Sequence, residues 1–276
     1  MVSNKLLEWQ HIIKFKVQIS KFKVKSNHKV QSSNLKVQSK LKALLSSTYF
    51  GPVQWYQKLN RYDECLIERH ESFIKQTYRN RMIIATTNGP LSLTIPTNHD
   101  TSMAMKDIRI SDHANWRHVH WNALLSAYGE SPFFEYYQDD IRPFYEKKYD
   151  FLFDFNMEIT EKMIELLDIR PKLSVTDEYV EKLGVRSEKL GVWSEELGVR
   201  SEELGVEGEK TPNSSLQTPN LIKDFRDAIR PKKPLPDPEF HPERYYQVYE
   251  QKHGFLPNMS ILDLLFNEGN EAIFHL

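Results

Sequence analysis

The sequence is poor in cysteine, because its 276 residues include only Cys65. One thiol cannot form a disulfide within the chain or a metal site built from several thiolates. Long apolar runs are missing too, since no stretch approaches the roughly 20 consecutive apolar residues of a membrane-spanning helix. The N-terminus lacks an apolar segment followed by a small-residue cleavage site. We therefore expect a cytoplasmic protein without a membrane span, with Cys65 as a small core residue.

Sequence signatures of several common enzyme mechanisms are also missing. The chain has no Walker-type phosphate loop, no Rossmann glycine pattern, no His-Glu-x-x-His and no Gly-x-Ser-x-Gly. These absences give no support to P-loop nucleotide hydrolysis, zinc-dependent hydrolysis or serine hydrolase chemistry. No metal site is predicted, no cofactor is assigned, and the residues alone leave open whether the protein is an enzyme.

Charge is distributed unevenly along the chain. The formal net charge is −1, yet residues 1–42 contain ten lysines and one acid, which gives +9 and leaves −10 for the remainder. An acidic body is a poor surface for nucleic acid, because phosphate binding needs clustered cations. We therefore do not expect nucleic acid as a partner, although a functional basic arm for nucleic acid or an anionic membrane stays open.

Two segments of the chain are repetitive. Residues 181–208 form four heptads of the type Glu-Lys-Leu-Gly-Val-Arg-Ser, and residues 14–40 repeat Lys-Phe-Lys-Val and Leu-Lys-Val. The heptads do not fit a coiled-coil seam, since their apolar residues are two apart, and each glycine disfavours a helix. We predict a disordered basic tail, a low-complexity insertion and one domain in two pieces; a short helical repeat is the alternative for the heptads. The predicted boundaries are 1–42 for the tail, 174–218 for the insertion, and 43–173 with 219–276 for the domain.

Hydrophobic periodicity predicts a mixed α/β (α+β) fold with short strands, a β-hairpin and packed helices. Asn88-Gly89 lies between apolar runs at 82–86 and 91–96, which is the strongest short hairpin signal. Further short strands are expected at 65–68 and 107–110, and helices at 53–60, from Asn115 onward, and at 151–167. The helix that begins at Asn115 has one apolar face: Trp116, Val119, His120, Ala123, Leu124 and Ala127.

The C-terminal stretch predicts a short apolar helix. Ser260 is expected to cap its N-terminus, and Asp263 lies in its first turn. We interpret Asp263 as a helix-end charge rather than a catalytic acid.

The segment from Phe73 to Arg81 offers the best candidates for ligand binding. Arg79 and Arg81 alternate along a predicted strand and would point to one face, where two guanidinium groups could hold a diphosphate or a carboxylate. Lys75 is a weaker candidate for the same anion, and Asn80 faces the other way. The alternative is structural, with one arginine paired to a nearby acid.

Other side chains also allow two interpretations. The acid that pairs with an arginine could be Asp63 or Glu68. His120 could act as a catalytic base on a sugar amine or hydroxyl, with a near-neutral pKa, or it could be a buried, hydrogen-bonded core residue. His118 and His120 are two apart on a helix and would not chelate one metal. Four tyrosines could stack on a sugar or a nucleobase, or simply pack in the core: Tyr49, Tyr78, Tyr128 and Tyr136.

The order of several motifs resembles the WbqC-like family, whose bacterial members are often associated with surface-polysaccharide gene sets. The C-terminal Gly254-Phe255 and the run 260–267 resemble the branch found in Bacteroidetes. Where many members have His-Gln-Pro, this chain has Ser-Ser-Thr at 46–48, and His70 replaces a frequent Asp. The motifs that carry the resemblance are Tyr49-Phe50, Lys75-x-x-Tyr78-Arg79-Asn80-Arg81, Asn88-Gly89, Leu93–Pro96, Trp116 with His120, and Tyr128 before Pro132-Phe133.

The resemblance implies a function in polysaccharide assembly. We expect a transferase that modifies an activated sugar by acyl or aminoacyl transfer, with a sugar or nucleotide-sugar as its small-molecule ligand. The alternative is a non-catalytic accessory protein that binds the same ligand without converting it. The expected catalytic residue is His120, and the expected substrate-binding residues are Lys75, Tyr78, Arg79, Asn80, Arg81, Trp116 and Tyr128.

Overall fold

The fold is built on a four-stranded parallel sheet. The structure is a computed structural model and describes residues 41–98, 102–181 and 222–276. The sheet strands are β1 (Lys42–Ser46), β2 (Glu64–Glu68), β7 (Leu173–Val175) and β8 (Ile222–Asp224). Their order in the sheet is β7-β2-β1-β8, with all pairs parallel. Together with the helices, this sheet confirms the mixed α/β fold.

The first strand and helix form the centre of the core. The three central residues of β1, Ala43 to Leu45, are fully buried because β1 has neighbours on both sides. Helix α1 (Val53–Arg61) begins after Gly51-Pro52 and connects β1 to β2. A Cβ at Gly51 would lie 2.4 Å from the Thr48 hydroxyl, so this turn requires glycine. The helix predicted at 53–60 is therefore confirmed.

Cys65 lies in β2 and is fully buried. Burial raises the pKa of its thiol to about 12. A thiol that stays protonated is a poor nucleophile, so the prediction of a core residue is confirmed.

The predicted hairpin is also confirmed. Strands β3 (Arg81–Thr86) and β4 (Gly89–Thr94) pair antiparallel, and Thr86 faces Gly89 across a two-residue loop. Gly89 has a φ of +94°, which explains the glycine in this turn. The strand predicted at 107–110 is shorter, since a 3₁₀ turn occupies Met105–Asp107 before β6 (Arg109–Ile110), which pairs with β5 (Thr97–Asn98).

Among the remaining helices, two pack on the hairpin, and several pack on one another. They are α2 (Trp116–Tyr128), α3 (Phe134–Ile141), α4 (Pro143–Glu146), α5 (Leu152–Leu166), α6 (Glu250–His253) and α7 (Ile261–Glu268). Further 3₁₀ turns lie at His113–Asn115 and Gly269–His275. The predicted cap is confirmed, because the Ser260 hydroxyl accepts from the amide of Leu262. Among the described residues, no helix has the length and apolar character needed to cross a bilayer.

One residue of the predicted apolar face of α2 is not in the core. Val119 is 54% exposed, whereas Trp116, His120 and Leu124 are buried. At 100° per residue, Val119 lies about 60° from Trp116 on the side away from His120 and Leu124. The prediction that Val119 faces the core was wrong, because α2 buries a narrower arc than the apolar pattern suggested.

The described residues belong to one compact unit within 39–276. Strand β7 pairs with β2 through Val175, and the amide of Val180 donates to Glu68 at 2.8 Å. The sheet therefore includes residues just beyond 173, where the insertion was predicted to begin. The disorder predicted for 1–42 and for the heptads at 181–208 falls almost entirely outside the described residues, and the domain boundaries stay predictions.

Candidate functional site

The carboxyl edge of the parallel sheet is where ligands commonly bind in such folds. The order of the sheet strands is β7-β2-β1-β8. From β1 the chain continues toward β2 and β7 on one side, and β8 is added on the other side, so the direction of strand addition reverses between β1 and β8. Crevices at this kind of reversal are frequent ligand sites. Ser46 ends β1 and Thr48 follows it at this point, and Phe225 and Arg226 follow β8.

A group of five charged residues, which we call the carboxyl-edge cluster, occupies this position; Asp224 is half-buried and the other four are buried. Its members are Glu68, Glu71, Arg79, Asp224 and Arg226. Arg226 bonds Asp224 at 2.6 Å, donates to the Val180 carbonyl at 3.0 Å and lies 3.6 Å from Glu68. Each charge in this cluster therefore has an opposite charge beside it.

Arg79 is held by the same cluster. Its Nε donates to Glu71 at 2.8 Å, and its Nη atoms donate to Ser46 at 2.9 Å and Thr77 at 3.2 Å. This is the structural alternative foreseen for one arginine, although the acid is Glu71 rather than Asp63 or Glu68. The guanidinium is thus occupied by groups of the protein itself.

Arg81 is in a different environment from Arg79. Strand β3 begins at Arg81, so Arg79 lies in the preceding turn and the two do not alternate along one strand. Arg81 is half-buried, and its Nε donates to the Thr94 hydroxyl at 2.9 Å across the hairpin. The expectation that the guanidinium groups of Arg79 and Arg81 lie on one face of a strand was therefore wrong.

The other residues predicted to bind substrate are mostly buried. Lys75 is exposed, whereas Tyr78, Asn80, Trp116 and Tyr128 are buried. The Asn80 amide donates to the Ile95 carbonyl at 2.9 Å, which ties the turn before β3 to the end of the hairpin. Their predicted binding roles stay predictions, and the structure shows packing roles for the four buried residues.

Tyr78 and Arg79 line a small cavity at the carboxyl edge. Its volume is about 10 Å³, which is about the space of one water molecule. The residues that line it are Leu45, Ser46, Thr48, Trp55, Tyr78, Arg79, Phe225, Arg226 and Ile229. In this conformation the cavity is too small for a sugar or a phosphate.

Asp263 has a different environment from the one predicted. It is buried, and its Oδ2 accepts from the Tyr245 hydroxyl and the Gln247 amide, both at 2.7 Å. Burial raises the pKa of Asp263, and hydrogen bonds from Tyr245, Tyr128 and Gln247 oppose that rise. The description of Asp263 as a helix-end charge was therefore incomplete, since its carboxyl group anchors the C-terminal segment inside the core.

His120 is buried and belongs to a chain of hydrogen bonds. Its Nδ1 lies 2.9 Å from the Tyr49 hydroxyl, which lies 2.9 Å from the Tyr145 hydroxyl. Burial lowers the pKa of His120 to about 4, and a hydrogen bond to the Thr94 backbone opposes this. The imidazole is therefore neutral at pH 7, and this environment agrees with the alternative of a buried, hydrogen-bonded core residue. A catalytic role for His120 stays a prediction.

A larger opening, which we call the basic cleft, lies beside these hydrogen-bonded residues, and Tyr145 lines it. Its volume is about 400 Å³. It is formed by residues just before α2, the first turns of α2, and the junction of α3 and α4. The residues that line it are Asp112, Asn115, Arg117, His118, Trp121, Arg142, Tyr145, Glu146 and Lys148.

Three cations face two carboxylates in the basic cleft. Asp112 pairs with Arg117 and, at 3.1 Å, with Lys148, while Arg142 pairs with Glu146 at 2.6 Å. The hydrogen bonds from Arg117 and Lys148 lower the pKa of Asp112. Arg142 is 57% exposed and Lys148 is 79% exposed, so their ion pairs are weak and can open for a ligand.

Two aromatic side chains complete the cleft. The rings of Trp121 and Tyr145 lie 5.8 Å apart. The Arg117 guanidinium lies 4.7 Å from the ring of Trp116, which fixes its orientation. The cleft therefore offers cations for an anion and aromatic surface for an apolar face of the same ligand.

The comparison with protein families agrees with the motif order. The sequence model of the WbqC-like protein family matches residues 46–214 and 236–275. The chain belongs to the WbqC-like family. No curated protein and no solved structure matches the chain. The family match does not separate branches, so the assignment to a Bacteroidetes-type branch stays a prediction.

Within this WbqC-like fold, the sequence analysis missed most residues of the basic cleft. Arg117 and Trp121 flank the predicted His120, and Arg142 precedes Pro143 at the start of α4. A signal was present in the run from Trp116 to Trp121, where two tryptophans enclose one arginine and two histidines. His118 lines the cleft, while His120 does not. Among the described residues, no group of His, Cys, Asp and Glu has the arrangement of a metal site.

Proposed function

We propose that this WbqC-like protein is a transferase that modifies an activated sugar, by acyl or aminoacyl transfer, in cytoplasmic surface-polysaccharide assembly. The observation that carries the proposal is the basic cleft, which combines three cations with the rings of Trp121 and Tyr145. An activated sugar has the matching chemistry, since its phosphates are anionic and its ring has apolar faces.

The ion pairs of the cleft support this ligand class. Arg142 and Lys148 hold their carboxylate partners at an exposed surface, where such a pair contributes about 0 to 1 kcal/mol. A phosphate dianion can therefore displace Glu146 or Asp112 at small cost. Arg117 is more deeply placed and stays oriented by Trp116.

One observation favours the alternative of a binding protein without catalysis. His120, the residue with a predicted catalytic role, is buried and does not line the cleft. His118 lines it, and its Nε2 lies 2.9 Å from the amide nitrogen of Asn122. If His118 is not a proton acceptor for the ligand, the cleft binds an activated sugar and leaves it unchanged.

Binding can be tested by calorimetry on the full-length protein with UDP-N-acetylglucosamine. Replacing Arg142 and Lys148 with methionine should weaken binding at least about a hundredfold, since each of the two lost charge-assisted contacts to phosphate removes about 1.5 kcal/mol or more. The matched control replaces Lys147 and Arg170 with methionine, because both are exposed cations outside the cleft. Equal affinities of the two double variants would contradict the assignment of the cleft.

Catalysis needs a separate measurement. Mass spectrometry of the bound sugar, after incubation with acyl thioesters or aminoacyl donors, separates the two candidates. A mass increase that requires the protein supports the transferase. Tight binding with an unchanged ligand across the donor panel supports the accessory protein.

A further inference from the structure

The two carboxylates of the basic cleft differ in how many cations they contact. Among the described residues, Arg142 is the only charged partner of Glu146, at 2.6 Å, and the Glu146 side chain is more than half exposed. Asp112 has two cationic partners, Arg117 and Lys148. When Arg142 and Lys148 turn to a phosphate, Asp112 keeps Arg117, whereas Glu146 loses its opposite charge.

The pair of Asp112 and Arg117 is the more permanent of these ion pairs. The Arg117 side chain is 13% exposed, and its guanidinium lies 4.7 Å from the ring of Trp116. Packing on one side and the ion pair on the other hold this arginine in place. Glu146 is therefore the carboxylate that a bound phosphate leaves free for another partner.

The charges of the cleft indicate what that partner is. Apart from His118, the charged residues that line it are three cations and two carboxylates, so the cations exceed the carboxylates by one. The diphosphate of a nucleotide sugar carries more negative charge than this excess neutralises. A ligand that also carries an ammonium group matches the cleft more closely, because its positive charge can pair with the freed carboxylate.

Glu146 lies beside the surface that the sugar ring would contact. It follows Tyr145 in the chain, and both residues line the cleft. The ring of Tyr145 lies 5.8 Å from that of Trp121. A sugar packed on these rings has its substituents next to the Glu146 carboxylate, whereas its phosphates meet the cations.

We propose that Glu146 is a specificity-determining residue that binds the ammonium group of an amino sugar, so that the activated sugar carries a free amine. The proposal rests on the proposed function and deepens it, because it names the substrate class of the same cleft. An N-acetylated sugar is uncharged at this nitrogen and lacks the contact. The free amine is thus recognised before acylation, and the acylated form is not.

The preference can be measured with UDP-glucosamine and UDP-glucose, which differ only in an amine or a hydroxyl at one carbon. Calorimetry on the full-length protein at pH 6, where the amine is protonated, should show UDP-glucosamine bound about tenfold more tightly, the effect of one charge-assisted hydrogen bond. Equal affinities for the two probes would overturn the proposal.

The variant Glu146→Gln assigns the preference to this residue. It should weaken UDP-glucosamine about tenfold. The affinity for UDP-glucose should stay the same or rise, because glutamine carries no charge that competes for Arg142. The matched control is Glu165→Gln, which removes an exposed carboxylate paired with Lys162 outside the cleft and should change neither affinity. A loss in Glu146→Gln that is equal for both probes, or that Glu165→Gln reproduces, would overturn the role of Glu146.

Failure of this inference can be distinguished from failure of the proposed function. Binding of UDP-N-acetylglucosamine without a preference for UDP-glucosamine over UDP-glucose would overturn the inference and leave the proposed function in place. If the wild-type protein binds none of the three sugar nucleotides, the proposed function fails and the inference fails with it.

Discussion

The carboxyl-edge cluster and the basic cleft are both rich in charge, but they differ in what the charges contact. In the cluster, Arg79 and Arg226 are buried and bonded to carboxylates of the protein. In the cleft, Arg142 and Lys148 are exposed, and their carboxylate partners are exposed as well. The cluster therefore has the arrangement of a structural ion-pair network, and the cleft has the arrangement of a site that can exchange partners.

The position of a charge in the fold does not by itself indicate function. The cluster lies at the reversal of strand order, the usual place for a ligand in a parallel sheet. Its cavity nevertheless has room for about one water molecule, whereas the cleft holds about 400 Å³. The burial of the charged side chains and their bonds to protein carboxylates therefore indicate which region can bind a ligand better than the position in the sheet does.

The largest expected effect is on the cluster. Arg79→Ala should reduce the free energy of unfolding by about 3 to 5 kcal/mol, because it leaves the buried carboxylate of Glu71 without its partner. Denaturant unfolding at pH 7 measures this loss. Arg81→Ala is the control and should cost about 1 kcal/mol, the value of its single bond to Thr94.

The contrast between the carboxyl-edge cluster and the basic cleft is wrong if the loss of Arg79 costs as little stability as the loss of an exposed residue. A loss below about 1 kcal/mol for Arg79→Ala would show that Glu71 is solvated, and the cluster would then be available to a ligand. In that case the original assignment of Arg79 as an anion-binding residue would regain its basis.

The second effect concerns the pH dependence of stability and tests the environment of His120, which is hydrogen-bonded to Tyr49. Burial lowers the pKa of His120 to about 4, below its unfolded value of about 6.5. A lowered pKa gives stability that is present above pH 6.5 and is lost as the pH falls toward 4. The shift corresponds to about 3 kcal/mol. Denaturant midpoints measured between pH 4 and pH 7.5 should show this decline.

His120→Gln is the matched variant for this measurement. A glutamine amide has both a donor and an acceptor for a hydrogen bond with Tyr49, yet it does not titrate. The difference in stability between wild type and variant should therefore shrink on going from neutral pH to acid. The buried Asp263 titrates in both proteins, so its contribution cancels. A difference that is constant with pH would contradict the buried, neutral imidazole.

Local features of the fold could be predicted from the sequence. The hairpin turn marked by Asn88-Gly89 and the cap at Ser260 depend on neighbouring residues alone, and both are confirmed. Strand β7 could not be predicted in this way, and the insertion was predicted to begin at residue 174, inside this strand. It has three residues, and its pairing with β2 depends on a partner about 108 residues earlier.

The candidate site was harder to predict, because it depends on contacts between distant segments. Arg79 was predicted as a binding candidate. Its pairing with Glu71 depends on the fold of the turn before β3, which the sequence did not predict. The cleft combines Arg117 on α2 with Arg142 and Lys148 beside α4. No spacing in the sequence connects these residues, so they were found only through the structure.

The smallest expected effect concerns the stability of the cleft. Replacing Arg142 and Lys148 with methionine should change the free energy of unfolding by less than about 1 kcal/mol, since both ion pairs are exposed and screened by salt. Thermal and denaturant unfolding of the double variant beside wild type measure the change. A loss of several kcal/mol would show that these cations support the fold. Near-equal stability, together with weaker binding of UDP-N-acetylglucosamine, would show that the cleft keeps its cations for a ligand rather than for the fold.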